Sequence, residues 1–315
     1  MLYAVAIAFG EVANLEVPRP DLRFSCLFPL TVPIVVYGVR WGCASRAERW
    51  VSALVVGVSG LLLAAVFLLA PRSPIDNATL RAIYEVSAIL NAALLGLHAA
   101  FRGRGFLALL FGPAALYGVL LENGGILLGY FSEVDYRLYL GPLPAPLATM
   151  CGWVTVFYIV TWVAWAIGRE VPVVARQPLV LAGVATMAAL FLDLQIDPLA
   201  TAVGFWSWHA FLPRSFMDVP LLNFAAWACA VLPFAFALFW RQHRFGLSPD
   251  GVCARRHVLW LTAMVPAVLM VAALLFAVTM VVVDNGFHGP TWAVLRQTLM
   301  RWGIVGPDVT WAPGS

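Results

Sequence analysis

LFLDLQIDPLATAVGFWSWHAFLPRSFMDVPLLNFAAW, residues 190–227, decides how the rest of the chain is read. It sets Asp193 and Asp197 at the end of an apolar segment, then Trp206 and Trp208, then a Pro220-Leu221 pair that opens another apolar segment. A buried ionisable group is costly unless it is hydrated or paired, so acids at the edge of a membrane-like helix are read first as a site. Their i, i+4 spacing puts both on one face of a continuous helix. Two carboxyls that close share a proton more readily than both ionise, which leaves a donor beside an acceptor. The competing reading has Asp197, ahead of Pro198, starting a turn or capping the next helix.

Working outward, the composition sets the class. Of 315 residues 62% are hydrophobic and only 11% charged, with a mean hydropathy of +0.88. A soluble domain carries about 25% charged residues, so this is an all-α, polytopic membrane protein. A spanning helix needs about 20 mostly apolar residues. Such segments fall near 24–41, 50–70, 80–101, 106–121, 145–167, 178–196, 219–240 and 258–283, which predicts about eight transmembrane helices. The expected organisation is one transmembrane domain over 1–283, with a short first helix in its first eleven residues, and a tail over 284–315. That tail alternates apolar and basic positions and is expected to hold a helix on the membrane surface.

All 19 basic residues are arginine, and the formal net charge is +3. The arginines sit in short loops, so no nucleic-acid partner is expected. Eleven of them fall on one set of alternate loops and eight on the other, which makes the first side the cytoplasmic one and the cell membrane the expected location. The longest inter-helix loops, 122–144 and 197–218, then share the outer side and face each other across one cavity. The five cysteines are scattered, with no C-x-x-C pair, and suggest neither a disulfide framework nor a zinc site.

A faint echo links two parts of the chain, 106–167 and 178–240. Pro146-Leu147 precedes Trp153 as Pro220-Leu221 precedes Trp227. Two related halves meeting at a midline site would produce this, and so would coincidence. Glu122, with Asn123, Gly124 and Gly125, closes the span before the first long loop, and either points back into a cavity or simply ends a helix. Tyr130, Phe131 and Tyr136 follow in that loop, where Glu133 and Asp135 are read as solvated. Glu85, Asn91 and His98 form a polar stripe on the span over 80–101, lining the cavity or pairing across the bundle. Trp206 and Trp208 are either an interfacial belt or indole faces placed beside a developing cation. Asn223 is either helix-to-helix glue or a ligand for water.

No phosphate-cradling or dinucleotide-binding glycine motif occurs. His98, His209, His243, His257 and His288 form no close cluster, so the eight-histidine pattern of membrane di-iron hydroxylases cannot be built. No cofactor and no metal are expected.

LDLQIDPLATAVGFWSW and VPLLNFAAW, together with the earlier LENGGILLGYF, PAPLATMCGW and VFY, carry a resemblance. The chain resembles the integral-membrane carotenoid-biosynthesis family that includes the carotenoid 1',2'-hydratases of the bisanhydrobacterioruberin and gamma-carotene pathways. The similarity runs from about residue 80 to 240. It implies addition of water to a terminal double bond of an acyclic carotenoid end, without a redox cofactor and in company with other carotenoid-pathway enzymes. The family pattern falls on Asp193, Asp197-Pro198, Trp206 with Trp208, and Val219 to Phe224. One departure is GYFSEVDY (129–136), where two acids stand among the aromatics. The residues read alone fit the same chemistry, since hydrating an alkene needs a proton donor, a cation-tolerant pocket and a placed water. The expected catalytic set is Asp193, Asp197 and Glu122, with Trp206, Trp208, Asn223, Tyr130 and Glu85 binding substrate. Two rivals stand beside it: an intramembrane prenyltransferase using D-x-x-x-D and magnesium, and a non-enzymatic carotenoid or lipid transporter or scaffold.

Overall fold

The computed structural model describes residues 22–38, 45–70, 75–133, 135–213, 216–283 and 288–306. The short helix expected in the first eleven residues lies outside them, as does the end of the tail. The fold is an all-α bundle. Its helices are α1 (Leu22–Gly38), α2 (Arg46–Leu69), α3 (Asn77–Arg102), α4 (Arg104–Leu127), α5 (Leu147–Glu170), α6 (Pro178–Ala202), α7 (Leu221–Arg244), α8 (Arg255–Val283) and α9 (Pro290–Arg301). Single helical turns at Pro172–Ala175 and Pro249–Val252 link α5 to α6 and α7 to α8.

Seven of these, α2 to α8, are long and apolar enough to cross a membrane. The first of the eight expected spans is α1, whose described part is 17 residues long and carries Pro29 and Pro33; it is not among the seven. Helix α2 shows why the solvent around the bundle must be lipid: Leu61 and Leu68 are 73% and 80% exposed, on a helix with almost no polar face. Water would not tolerate such a surface on a soluble monomer.

Local chemistry sets the helix ends. Ser45 caps α2 by accepting the Glu48 N–H, and Asp76 caps α3 by accepting the Thr79 N–H at 2.9 Å. Gly103, at φ 130°, separates α3 from α4 in a conformation that a side chain would resist. Pro146 and Pro220 stand at the N-caps of α5 and α7. A π-helical turn at Leu110–Ala114, containing Pro113, interrupts α4. Helix α6 runs on through Pro198 to Ala202. The proline removes the N–H that the Leu194 carbonyl would accept, yet the helix does not stop. Asp197 is therefore an interior helical residue, neither a cap nor a turn.

The core lies among α4 to α8. Tyr117, Val160, Ala182, Val231, Leu238 and Val265 are all fully buried there. Helix α5 is the most enclosed span, with a face of Trp153, Phe157, Val160 and Ala164 set on α4, α6 and α7.

The two long loops meet at one end of the bundle. β1 (Phe131–Ser132) pairs antiparallel with β2 (Ser207–Trp208), and the Ser132 and Ser207 hydroxyls lie 2.9 Å apart. The His209 N–H donates to the Tyr130 carbonyl, and the Tyr136 hydroxyl to the Phe205 carbonyl. The expected juxtaposition of these loops is thus a hydrogen-bonded ribbon. Helix α9 packs against it, burying Val294 beside Tyr130, Leu212 and Met280, and the Thr298 hydroxyl donates to the Leu128 carbonyl at 2.8 Å. The tail helix is fastened to the loop layer.

Candidate active site

Beneath the loop ribbon is a cavity of about 730 Å³. Its walls are mostly apolar and aromatic, among them Tyr84, Trp153, Phe205, Trp206, Trp208 and Trp227, and its polar lining includes Glu122, Asp197, Asn223, Thr149 and Asn91. Among the described residues no arginine lines it.

The acids come from three segments. Asp193 and Asp197 sit one turn apart on α6, both fully buried. The two carboxyls are within hydrogen-bonding reach of each other, and Asn223, three residues into α7, holds them from the facing helix. Its amide nitrogen lies 3.2 and 3.3 Å from the Asp193 oxygens and also donates to Asp197 Oδ2. Only Asp197 of the pair reaches the cavity wall, with Asp193 behind it. Glu122 approaches from α4, five residues before that helix ends, and accepts the indole N–H of Trp153. Its place inside the helix aims it at the cavity.

The fourth acid corrects an expectation. Glu133 is buried, at 4% exposure, not solvated. The β1–β2 ribbon turns the chain inward at this point, and Glu133 Oε1 accepts the Thr149 hydroxyl at 3.0 Å. Burial, and then the neighbouring Glu122, hold its carboxyl well above the usual carboxylate range. Asp135 does face solvent, in an ion pair of 3.6 Å with Arg81. None of the four buried acids joins an ion pair among the described residues.

The remaining expected residues divide. Asn223 is at the centre of the site. Trp206 is buried on the cavity wall. Trp208 lines it too, its N–H given to Thr201 Oγ1 at 3.1 Å and its ring 5.7 Å from that of Phe131. Tyr130 lines it as well, with its hydroxyl on Met280 Sδ at 3.6 Å. Glu85 is placed elsewhere: its Oε1 accepts the Arg137 and Leu138 N–H groups at 2.8 and 3.0 Å, and it is not part of the cavity wall. A carboxylate that latches two loop amides is committed to the backbone. His98, from the same stripe, is bonded to the Tyr158 hydroxyl at 2.5 Å away from the cavity, while Asn91 does line it.

Sequence reasoning passed over Tyr84 and Thr149. The Tyr84 ring stacks on Phe205 at 5.1 Å, and its hydroxyl meets Thr149. Thr149 is the third residue of α5 as Asn223 is the third of α7, and each bonds a buried carboxyl. Aligning the two Pro-Leu motifs would have marked Thr149.

Fold and site together define a polytopic helical membrane protein with a buried acidic centre in an apolar, aromatic-walled chamber. A sequence model of the family described as carotenoid biosynthesis protein matches residues 82–291, and the chain belongs to that family. The matched region begins in α3 and ends in α9, and so takes in every acid of the site. No curated protein and no solved structure gives a match to it.

Proposed function

We propose that the chain is a hydratase that adds water across the terminal 1',2' double bond of an acyclic carotenoid end, by protonation and without a redox cofactor. The observation that carries this is the Asp193–Asp197 pair, bridged by Asn223 and open through Asp197 alone to an apolar cavity. An unactivated alkene offers nothing to bind except its π electrons, so the catalyst must supply a proton where water is scarce. In this mechanism the pair shares one proton. Asp197 delivers it to the less substituted alkene carbon, and the π pair becomes the new C–H bond. The tertiary cation left on the neighbouring carbon sits among indole and phenol faces, each contact worth about 0.5–2 kcal/mol. A water oxygen closes on that carbon, its surplus proton passes to Glu122, and a proton returns from there to the Asp193–Asp197 pair before the next turnover. Atoms balance as alkene plus water, and no electron is gained or lost.

The apolar wall suits a polyene that arrives from the bilayer holding the protein, which we take to be the cell membrane. Expression of the chain in a lycopene-producing host tests the proposal. The expected result is a pigment heavier by one water. Pigment that copurifies unchanged with the protein, with no hydrated product, would overturn it in favour of a carotenoid-binding scaffold, and turnover of a prenyl diphosphate with magnesium would overturn it in favour of a prenyltransferase.

A further inference from the structure

Glu133 is a loop residue with the burial of a core residue. One carboxyl oxygen takes the Thr149 hydroxyl; the other, Oε2, is buried with no hydrogen-bond partner among the described residues. The groups that face it are Glu122 on α4, Asp197 on α6, Tyr84 on α3 and Tyr136 on its own loop. None is a cation. An ionised carboxylate has about four lone-pair sites to satisfy, and one donor falls far short. A neutral acid has fewer needs, and leaves no unmatched charge at the unpartnered Oε2. Glu122 on α4, held by the Trp153 N–H and set on the cavity wall, is the acid whose charge weighs most against a second charge at Glu133.

Resting on the hydratase reading for its catalytic part, we infer that Glu133 is the proton-bearing partner of Glu122: kept neutral behind the cavity wall, it leaves Glu122 as the carboxylate that takes the proton from water. Glu133 does not touch the cavity, so it is a positioning residue. The site then holds two carboxyl pairs, Asp193 with Asp197 and Glu122 with Glu133, one giving a proton and the other receiving it. The third residues of α7 and α5, Asn223 and Thr149, each anchor one pair.

The sign of the pH effect follows. Burial favours the neutral form, so Glu133 ionises only as pH rises, and the new charge beside Glu122 then disfavours the arrangement. Hydration should fall on the alkaline side in the wild type. Glu133→Gln cannot ionise, so its alkaline limb should move to higher pH. Glu133→Ala, which removes the partner altogether, should lose most activity. A Glu133→Gln protein with an unchanged alkaline limb, or a folded one that is inactive, would overturn the inference.

An infrared measurement on the full chain in detergent tests Glu133 without activity. The wild type should show a carboxylic-acid carbonyl band at neutral pH that Glu133→Gln lacks and Thr149→Val shifts. Identical spectra for wild type and Glu133→Gln would overturn the inference even if hydration occurs. Absence of hydration with any carotenoid, together with the expected band, would remove the hydratase reading and leave Glu133 as a buried neutral acid.

Discussion

Trp153 and Trp227 stack with ring centroids 4.7 Å apart and planes inclined by 28°. Each follows its Pro-Leu at the same spacing, one on α5 and one on α7, so the echo in the sequence is a contact in the fold. The stack forms part of the cavity wall, and Trp153 carries its N–H to Glu122. An aromatic pair contributes about 0.5–1.5 kcal/mol beyond its buried area. Here it also fixes the position of an acid.

That contact depends on Gly118. A Cβ added there would stand 2.5 Å from Trp153 Cβ and 3.1 Å from Cγ. Atoms so near the backbone cannot swing aside, so Gly118→Ala should force α4 and α5 apart and cost about 1–3 kcal/mol. Thermal unfolding in detergent should register the loss. Gly183→Ala serves as control: a Cβ at Gly183 meets nothing within 4 Å, and α6 should be as stable or slightly more so. Equal melting temperatures for the two variants would contradict the packing described.

Position separates the two aspartates. Asp197 faces the cavity and Asp193 lies behind it. Asp197→Asn should lower hydration by about 10²–10⁴-fold, the range expected for removal of a general acid. Asp193→Asn keeps the hydrogen-bonding shape, removes only the proton-sharing partner, and should have the smaller effect. Pigment yields of both variants, normalised to membrane-inserted protein, decide this. The reverse order would place the acid on Asp193.

Much of this was legible in the sequence, and the failures have physical causes. Apolar runs separated by arginine-rich loops reported the helices, because lipid demands them. The carboxylates of α6 stood out because acids are rare in such segments. Asp197-Pro198 read ambiguously, since local rules favour a break at proline while tertiary packing carries α6 past it. Glu133 was misread because a loop acid is ordinarily solvated; only pairing of β1 with β2, between segments far apart in the chain, turns it inward. Glu85 looked like a cavity residue on helical spacing alone. Its use by the loop amides depends on a fold that spacing does not encode.

Asn223 gives a test in which stability and activity move together. Its amide is the donor to both α6 carboxyls from the facing helix. Asn223→Leu has similar bulk and no donor, and leaving buried acceptors unmatched should cost about 1–3 kcal/mol. Hydration should fall with it, because the pair is no longer held. Asn223→Gln, which keeps an amide on a longer stem, should recover part of the stability. Wild-type melting in Asn223→Leu would show that the amide is not what holds the acids.

Glu85 should behave as a latch. Its carboxylate accepts the Arg137 and Leu138 N–H groups, fastening the loop that carries Glu133 and Tyr136 to α3. Hydrogen bonds to a charged group contribute about 1.5–3 kcal/mol each at most, so Glu85→Ala should unfasten the loop and lower the melting temperature by several degrees. Glu85→Gln still accepts through one oxygen and should fall between Ala and wild type. Amide hydrogen exchange offers the sharper readout: in Glu85→Ala the protection of Arg137 and Leu138 should drop while that of the α5 and α6 interiors holds. If the variant instead kept its loop protection and showed only weaker carotenoid binding, Glu85 would be a substrate contact after all.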